Sequence, residues 1–281
     1  MKTLFKNRKL LIATKHNKEK VIAPLFEKGL AVSCFISEEF DTDSLGTFSG
    51  EISRKDDALT TLRKKCVLAM EKNHCDLVIA SEGSFGAHPS VFFAQADDEL
   101  MMLMDAKNEL EIVVRELSME TNFNGSEIAT ESELEMFAQQ ASFPSHGLIL
   151  KPAVENYDMV IKGITKLEEL KKHFKEIKNQ FGEVYVETDM RANFNPTRMK
   201  VIEKAALKLL KAVESLCPNC ETPGYIVTKA LPGLPCSWCN CPTNSTLSLL
   251  YTCKKCDFTN EVLYPHEKTK EDPAYCNFCN P

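Results

Sequence analysis

Lys9-Leu10-Leu11-Ile12-Ala13-Thr14-Lys15-His16-Asn17-Lys18-Glu19-Lys20 is the stretch that decides the fold. Residues 9–14 read as a buried strand. The polar residues after it lead directly into Val21, Ile22, Leu25 and Phe26, which are spaced for one face of a helix that Pro24 bends or shifts. A buried strand, a polar loop and an amphipathic helix in succession form the repeating unit of an α/β domain.

The alternation continues outward. Residues 57–73 put Leu59, Leu62, Cys66, Val67 and Met70 on one helical face, and residues 76–80 follow as a second short buried strand. Apolar stretches at 99–105 and 109–117 flank Ala106-Lys107-Asn108 as a hairpin. Thr130 with Glu133 and Thr165 with Glu168 read as capping boxes opening two more helices. Residues 183–187 are a strand, and Asn195-Pro196 caps a long helix burying Met199, Ile202, Ala206, Leu209 and Val213. The expectation is an α/β domain over residues 1–215, with a mixed sheet and flanking helices.

The rest of the chain has a different composition. Nine of the 12 cysteines lie in residues 216–281, eight of them as C-x-x-C pairs: Cys217/Cys220, Cys236/Cys239, Cys253/Cys256 and Cys276/Cys279. A two-residue spacer lets two thiolates reach one tetrahedral ion, so the segment reads as a double zinc-ribbon-like module with two structural Zn²⁺ ions, each held by four cysteines. Pairing neighbours in order is the expected arrangement; the interleaved alternative joins the first pair with the third and the second with the fourth. Cys241 is left over and reads as a small buried side chain. So short a segment buries little core, and metal binding supplies its folding free energy.

Composition narrows the function classes. The 281 residues carry a formal charge of −6, and residues 216–281 contain five lysines, no arginine and six acidic side chains, a poor electrostatic match to nucleic acid. The apolar run of four near the start is too short for a signal-peptide core, and no stretch approaches a membrane span, so a cytoplasmic protein without membrane contact is expected.

In open α/β sheets chemistry collects at the carboxyl ends of strands. Three such ends are polar here. At the first, Thr14, Asn17, Lys18 and Lys20 offer a hydroxyl, an amide and cations at a helix start, a phosphate-binding pattern. At the second, Glu82 stands between Ser81 and Gly83. At the third, Asp189, Arg191 and Arg198 surround the helix start at Pro196, with both arginines expected to hold an anion over its amides. His88 and His146, in Pro-containing turns, read as capping or packing residues; Lys151 and His16 are weaker candidates.

These pieces carry two resemblances. Residues 13–21 and Val78-Ile79-Ala80-Ser81-Glu82-Gly83, with the helix between them, resemble the inosine and xanthosine triphosphate pyrophosphatases over roughly residues 9–90. That family has a Thr-x-Asn-x-x-Lys phosphate loop and an acidic strand end that helps hold Mg²⁺. Lys15 is an extra residue in this loop, Glu82 stands alone where the family has an acidic pair, and Pro196-Thr197-Arg198 echoes its terminal Ser-His-Arg. The whole chain, with its paired C-x-x-C motifs, resembles a bacterial family known as a domain of unknown function, which implies no activity.

The function expected from the sequence is Mg²⁺-assisted hydrolysis of a nucleotide or other phosphorylated small molecule. Thr14, Asn17, Lys18, Lys20 and Arg198 would hold phosphate, Glu82 and Asp189 would bind metal or orient water, and Arg191 would balance developing charge. The alternative is a non-enzymatic adaptor that senses a phosphorylated ligand and docks a protein partner through its zinc module.

Overall fold

Strand β1 (Lys9–Ala13) lies inside a five-stranded sheet, as its apolar run requires. The computed structural model describes residues 2–37, 57–91 and 93–281, which fall into two compact units, Lys2–Leu210 and Lys211–Pro281. The first unit opens with α1 (Lys2–Phe5), β1, α2 (Glu19–Leu30), β2 (Ser33–Phe35) and α3 (Ala58–Asn73). It continues with β3 (Leu77–Ala87), β4 (Gln95–Asp105) and β5 (Leu110–Ser118). The sheet order is β2-β1-β3-β4-β5: β1 runs parallel to β2 and β3, whereas β4 and β5 are antiparallel, so the sheet is mixed.

Strand β3 departs from the sequence expectation. It does not end at Ala80 but runs through Ser81-Glu82-Gly83-Ser84-Phe85-Gly86 to Ala87, because β4 pairs with it at every position from Leu77↔Asp105 to Ala87↔Gln95. The expected polar loop is therefore a strand interior, and Glu82 is a ladder residue. Pleating then sorts the side chains by face. Leu11, Ala13, Val78, Ala80 and Met102 form one core with Leu62, Cys66 and Ala69 of α3. Ile79, Ser81, Gly83 and Phe85 share the opposite face with Asp97, Glu99 and Met101.

Local signals explain most helix boundaries. Asp57 caps α3 by accepting from the amides of Leu59 and Thr60, each at 3.0 Å. Val67, expected inside, is exposed, since it sits about 100° around the helix from buried Cys66. Helix α2 continues through Pro24, an exposed position, at the cost of one backbone hydrogen bond. In the remainder of the unit, β6 (Gly125–Glu127), α4 (Glu131–Gln140), β7 (Leu148–Lys151), β8 (Ile161–Ile164), α5 (Leu167–Phe181) and β9 (Tyr185–Thr188) form an antiparallel sheet of order β6-β9-β7-β8. Its core includes Leu134 and Phe137 of α4 with Leu170 and Phe174 of α5. The Thr130–Glu133 capping box is formed. The Thr165–Glu168 box is not: the chain turns helical only at Leu167, so Lys166 occupies the cap position without a side-chain cap.

After β9 the chain makes a 3₁₀ turn at Ala192–Phe194 and enters α6 (Pro196–Glu214). Asn195 Oδ1 accepts from the Arg198 amide at 3.0 Å, the expected cap. The side chains of Arg198 and Lys208 in α6 reach Glu99 and the Arg115 carbonyl, fastening the helix to β4 and β5. Gly29 of α2 packs so closely on α6 that a Cβ there would come within 2.7 Å of Leu210 Cδ1. The second unit is a three-stranded antiparallel sheet, β10 (Ile226–Pro232), β11 (Thr246–Thr252) and β12 (Thr259–Leu263). Among the described residues no helix is long and apolar enough to cross a membrane.

Candidate functional site

The sulfurs of Cys217, Cys220, Cys253 and Cys256 lie within 4.8 Å of one another, and so do those of Cys236, Cys239, Cys276 and Cys279. The pairing is thus interleaved, which corrects the neighbour-by-neighbour order. Strand β10 is the reason. Cys220 precedes it and Cys236 follows it, and a seven-residue strand spans about 20 Å, too far for one ion to bridge. Pairing of Ile226 with Thr252 delivers Cys253 to the first pair. A parallel bridge between Cys236 and Glu271 brings the last pair to the second.

Sulfur separations are 3.7 Å for Cys217–Cys256, 3.6 Å for Cys220–Cys253, 3.8 Å for Cys236–Cys279 and 3.6 Å for Cys239–Cys276. Four thiolates at about 2.3 Å from a tetrahedral zinc stand about 3.8 Å apart, so both tetrads can hold such an ion. Three of the C-x-x-C turns close alike. The amides of Cys217, Cys236 and Cys253 donate to the carbonyls of Thr222, Cys241 and Phe258, each at 2.9 Å. The residue after the second cysteine in each, Glu221, Asn240 or Asp257, takes a left-handed φ of 57°, 58° or 56°. Cys241 therefore serves through its backbone, and its side chain is only partly buried. Contact with the Thr222 hydroxyl and amide holds the Cys220 thiol down at about 6, whereas burial pushes Cys253 of the same tetrad up to about 11.

The first unit contains a buried group of charges on the β3/β4 face opposite α3. Lys18 Nζ donates to Ser81 Oγ at 2.9 Å. Arg198 Nε donates to Glu99 Oε1 at 2.7 Å, its Nη1 donates to the Met190 carbonyl, and its guanidinium lies 4.9 Å from the Phe85 ring centre. Gly83 makes room for this pair: a Cβ there would meet Arg198 Nη2 and Glu99 Oε1 at 2.5 Å each. Asp97, two residues from Glu99, is fully buried. Among the described residues neither Asp97 oxygen, nor Glu99 Oε2, has a hydrogen-bond partner. Burial, reinforced by Glu99, pushes the Asp97 carboxyl up to about 8. Burial, reinforced by Arg198, pushes the Lys18 ammonium down to about 8. A cleft of about 340 Å³ lined by Gln95, Thr121, Asn122, Phe123, Asn124, Gln140 and Ala141 adjoins this face. Gln95 precedes Asp97 on the same side of β4, and the Phe123 ring lies 5.7 Å from that of Phe85.

Residues 65–281 match the model of a domain of unknown function, DUF6671. The chain belongs to the DUF6671 family. The match takes in all eight paired cysteines together with Glu82, Asp97, Glu99 and Arg198, and begins beyond Lys18. No curated protein matches. Among solved structures, the crystal structure of protein VC0702 from Vibrio cholerae is similar at 10% identity, covering 73% of this chain and 94% of that one with a TM-score of 0.31.

Within this DUF6671 chain the sequence candidates separate. Lys18 and Arg198 join the buried group through Ser81 and Glu99. Thr14 turns its hydroxyl onto the Lys15 carbonyl at 2.8 Å, and Asn17 and Lys20 are exposed. Glu82 points to the α3 side of the sheet and pairs with buried Lys65 at 2.5 Å. Asp189 is fully buried and accepts from Arg191, with 2.6 Å between Arg191 Nη2 and Asp189 Oδ2, and from the Gly163 amide at 3.0 Å. Arg191 therefore does not reach back over the α6 amides, and Arg198 turns away from them toward Glu99; the expected anion site at that helix start is not formed.

His146 Nε2 lies 2.9 Å from Thr197 Oγ1 and its ring caps the start of α6, and His88 Nδ1 accepts from the amides of Ser90 and Val91; both are the capping residues expected. Lys151 is buried beside Glu187 at 3.0 Å, with the Tyr157 and Tyr185 rings close by. Asp97, Glu99 and Lys65 were missed by sequence reasoning. The available signal was the continuation of the alternating Met101–Leu103 face into Glu99 and Asp97, which puts acids where the pleat demands burial.

Proposed function

We propose that this protein is a Mg²⁺-assisted hydrolase of a nucleotide or other phosphorylated small molecule, joined to a structural module that holds two zinc ions. The observation carrying this reading is that Lys18 and Arg198, both buried, share one sheet face with Asp97 and Glu99 beside the cleft. Burying charges together is a poor route to stability, since apolar replacements of similar volume are often as good or better. The amide-rich lining with Phe123 suits hydrogen bonding and stacking of a base, which favours a nucleotide over a sugar phosphate.

Lys18 Nζ and the Arg198 guanidinium would take phosphate oxygens, with the Glu99 carboxylate fixing the rotamer of Arg198. Ser81 Oγ orients Lys18. Lys65 neutralises Glu82 on the far side of the sheet, and the Asp189–Arg191 pair stiffens the loop entering α6. A bound Mg²⁺ would neutralise phosphate charge and polarise a water. Of the loop that resembles the inosine and xanthosine triphosphate pyrophosphatases, Lys18 is the residue that reaches this group, and through it the sequence resemblance points to the same class. Screening nucleoside triphosphates, diphosphates and sugar phosphates for phosphate or pyrophosphate release with Mg²⁺ tests this reading; no turnover across the panel refutes it.

One observation favours the adaptor alternative. Trp238, Tyr275 and Phe278 stand exposed at 77%, 69% and 70% around the second tetrad, where a protein partner would bury them. Ligand-induced stabilisation without turnover would favour that reading.

A further inference from the structure

A fully buried carboxylate with both oxygens unpaired is rare, because an uncompensated buried charge is costly. Here Asp97 is 0% exposed with no hydrogen-bond partner for either oxygen among the described residues, and Glu99 presents a second unpaired oxygen, Oε2. Both project from the same face of β4, opposite Phe85 and Gly83 of β3. Glu99 Oε1 is already engaged by Arg198 at 2.7 Å, which leaves Oε2 as its remaining acceptor.

We propose that Asp97 and Glu99 Oε2 form the seat of a single hard divalent cation, Mg²⁺ or Mn²⁺, in place of the Glu82 and Asp189 ligands expected from the sequence. Glu82 and Asp189 have their carboxylates committed to Lys65 and to Arg191 with the Gly163 amide, which suits neither to this role. Mg²⁺ commonly binds through one or two carboxylates and takes its other ligands from water and substrate phosphate, so two carboxylates beside Lys18, Arg198 and a cleft are a sufficient protein contribution. A cation there would also hold Asp97 ionised at neutral pH. The inference deepens the hydrolase reading and rests on the same site.

The test uses the full-length, zinc-loaded chain purified without added Mg²⁺. Titration with Mn²⁺, read as loss of the free-ion electron paramagnetic resonance signal, is expected to show one Mn²⁺ per chain, with a parallel rise in melting temperature. Asp97→Asn keeps the side-chain shape while removing the buried charge, and is expected to weaken binding by about tenfold or more and abolish the Mn²⁺-induced stabilisation. Asp97→Ser provides the same comparison should the amide not be accommodated. Wild-type protein that binds no Mn²⁺, or a variant that binds it as tightly as wild type, overturns the seat. Activity is scored separately: Mn²⁺ binding without turnover retires the hydrolase and leaves the seat, whereas Mg²⁺-dependent turnover undiminished in Asp97→Asn retires the seat and leaves the hydrolase.

Discussion

Arg198→Ala should destabilise the first unit strongly, by an amount the structure allows to be worked out. The Arg198 and Glu99 side chains are both 0% exposed and 2.7 Å apart, so truncating the arginine strands a carboxylate with no solvent to receive it. The carbonyl of Met190 also loses its donor, and the Phe85 ring loses the guanidinium beside it. Breaking a buried pair from one side costs about 3 to 5 kcal/mol. For a unit of this size each kcal/mol moves the midpoint by about 2 to 4 °C, so the melting temperature should fall by about 6 to 20 °C. Circular dichroism melts at constant zinc content read this directly. The double variant Arg198→Met/Glu99→Leu separates the cost of a stranded charge from that of lost packing, and should recover most of the loss. An Arg198→Ala protein melting within 1 to 2 °C of wild type, a shift of under about 1 kcal/mol, would refute the reasoning, because the side chain would then have to be solvated.

Interleaved pairing predicts that Cys217→Ser/Cys253→Ser releases one zinc per chain, measured by a chromogenic chelator, whereas neighbour pairing predicts loss of both. Chelation should melt residues 211–281 before the first unit in calorimetry, since the metals supply most of what a sheet of three short strands lacks. Gly83→Ala should lower stability by about 1 to 3 kcal/mol, because the new Cβ meets Arg198 Nη2 and Glu99 Oε1 at 2.5 Å; an unchanged midpoint in urea would mean that the pair can shift aside. The pH profile of metal-free stability should carry the mark of Asp97, whose folded value of about 8 is set by burial and Glu99 against Arg198 and Lys18, with Asp98 adding a little. Because that value is raised, the folded state keeps a proton the unfolded chain releases. The contribution is complete below about pH 4 and is lost as pH climbs toward 8. Asp97→Asn should flatten this slope in equilibrium unfolding, and an identical slope in the variant would remove Asp97 as its source.

The alternation of strand and helix was legible because each element carries its own period and cap: β1 in its apolar run, α3 in Asp57 and the Leu62–Cys66–Ala69 stripe, α6 in Asn195-Pro196. The two cysteine clusters were legible down to their eight members, because a C-x-x-C turn is a local object. Their pairing was not, since that depends on how β10 separates the pairs and on the β10–β11 register, which are long-range facts. The extent of β3 was misread for a similar reason. Ser81, Gly83 and Gly86 are poor strand residues alone, and only pairing with β4 through Ala87↔Gln95 makes them extended. The anion site at α6 failed on side-chain direction: the sequence places Arg198 in the first turn, but the free energy of pairing with Glu99, 99 residues away, directs where it points.

The two units use buried charge in different ways. In the cysteine module each tetrad is closed in coordination rather than in charge: four thiolates would fill the tetrahedral shell of one dication at a net charge of about −2 and leave no position open for chemistry. The β3/β4 face is incomplete in a directed manner. Arg198 and Glu99 compensate one another and Lys18 leans on Ser81, while both Asp97 oxygens and Glu99 Oε2 have no hydrogen-bond partner among the described residues and feel Arg198 and Lys18 only through space. A protein selected only to be stable would place an apolar side chain at position 97, which is fully buried opposite Phe85 on the β3/β4 face. Keeping a carboxylate there gives up folding free energy unless some other group completes the charge. Two buried cations and two buried carboxylates on one face, with hydrogen-bonding capacity left open at Asp97 and a cleft alongside, are what the proposed metal-bound phosphate, a ligand that brings both signs at once, would require.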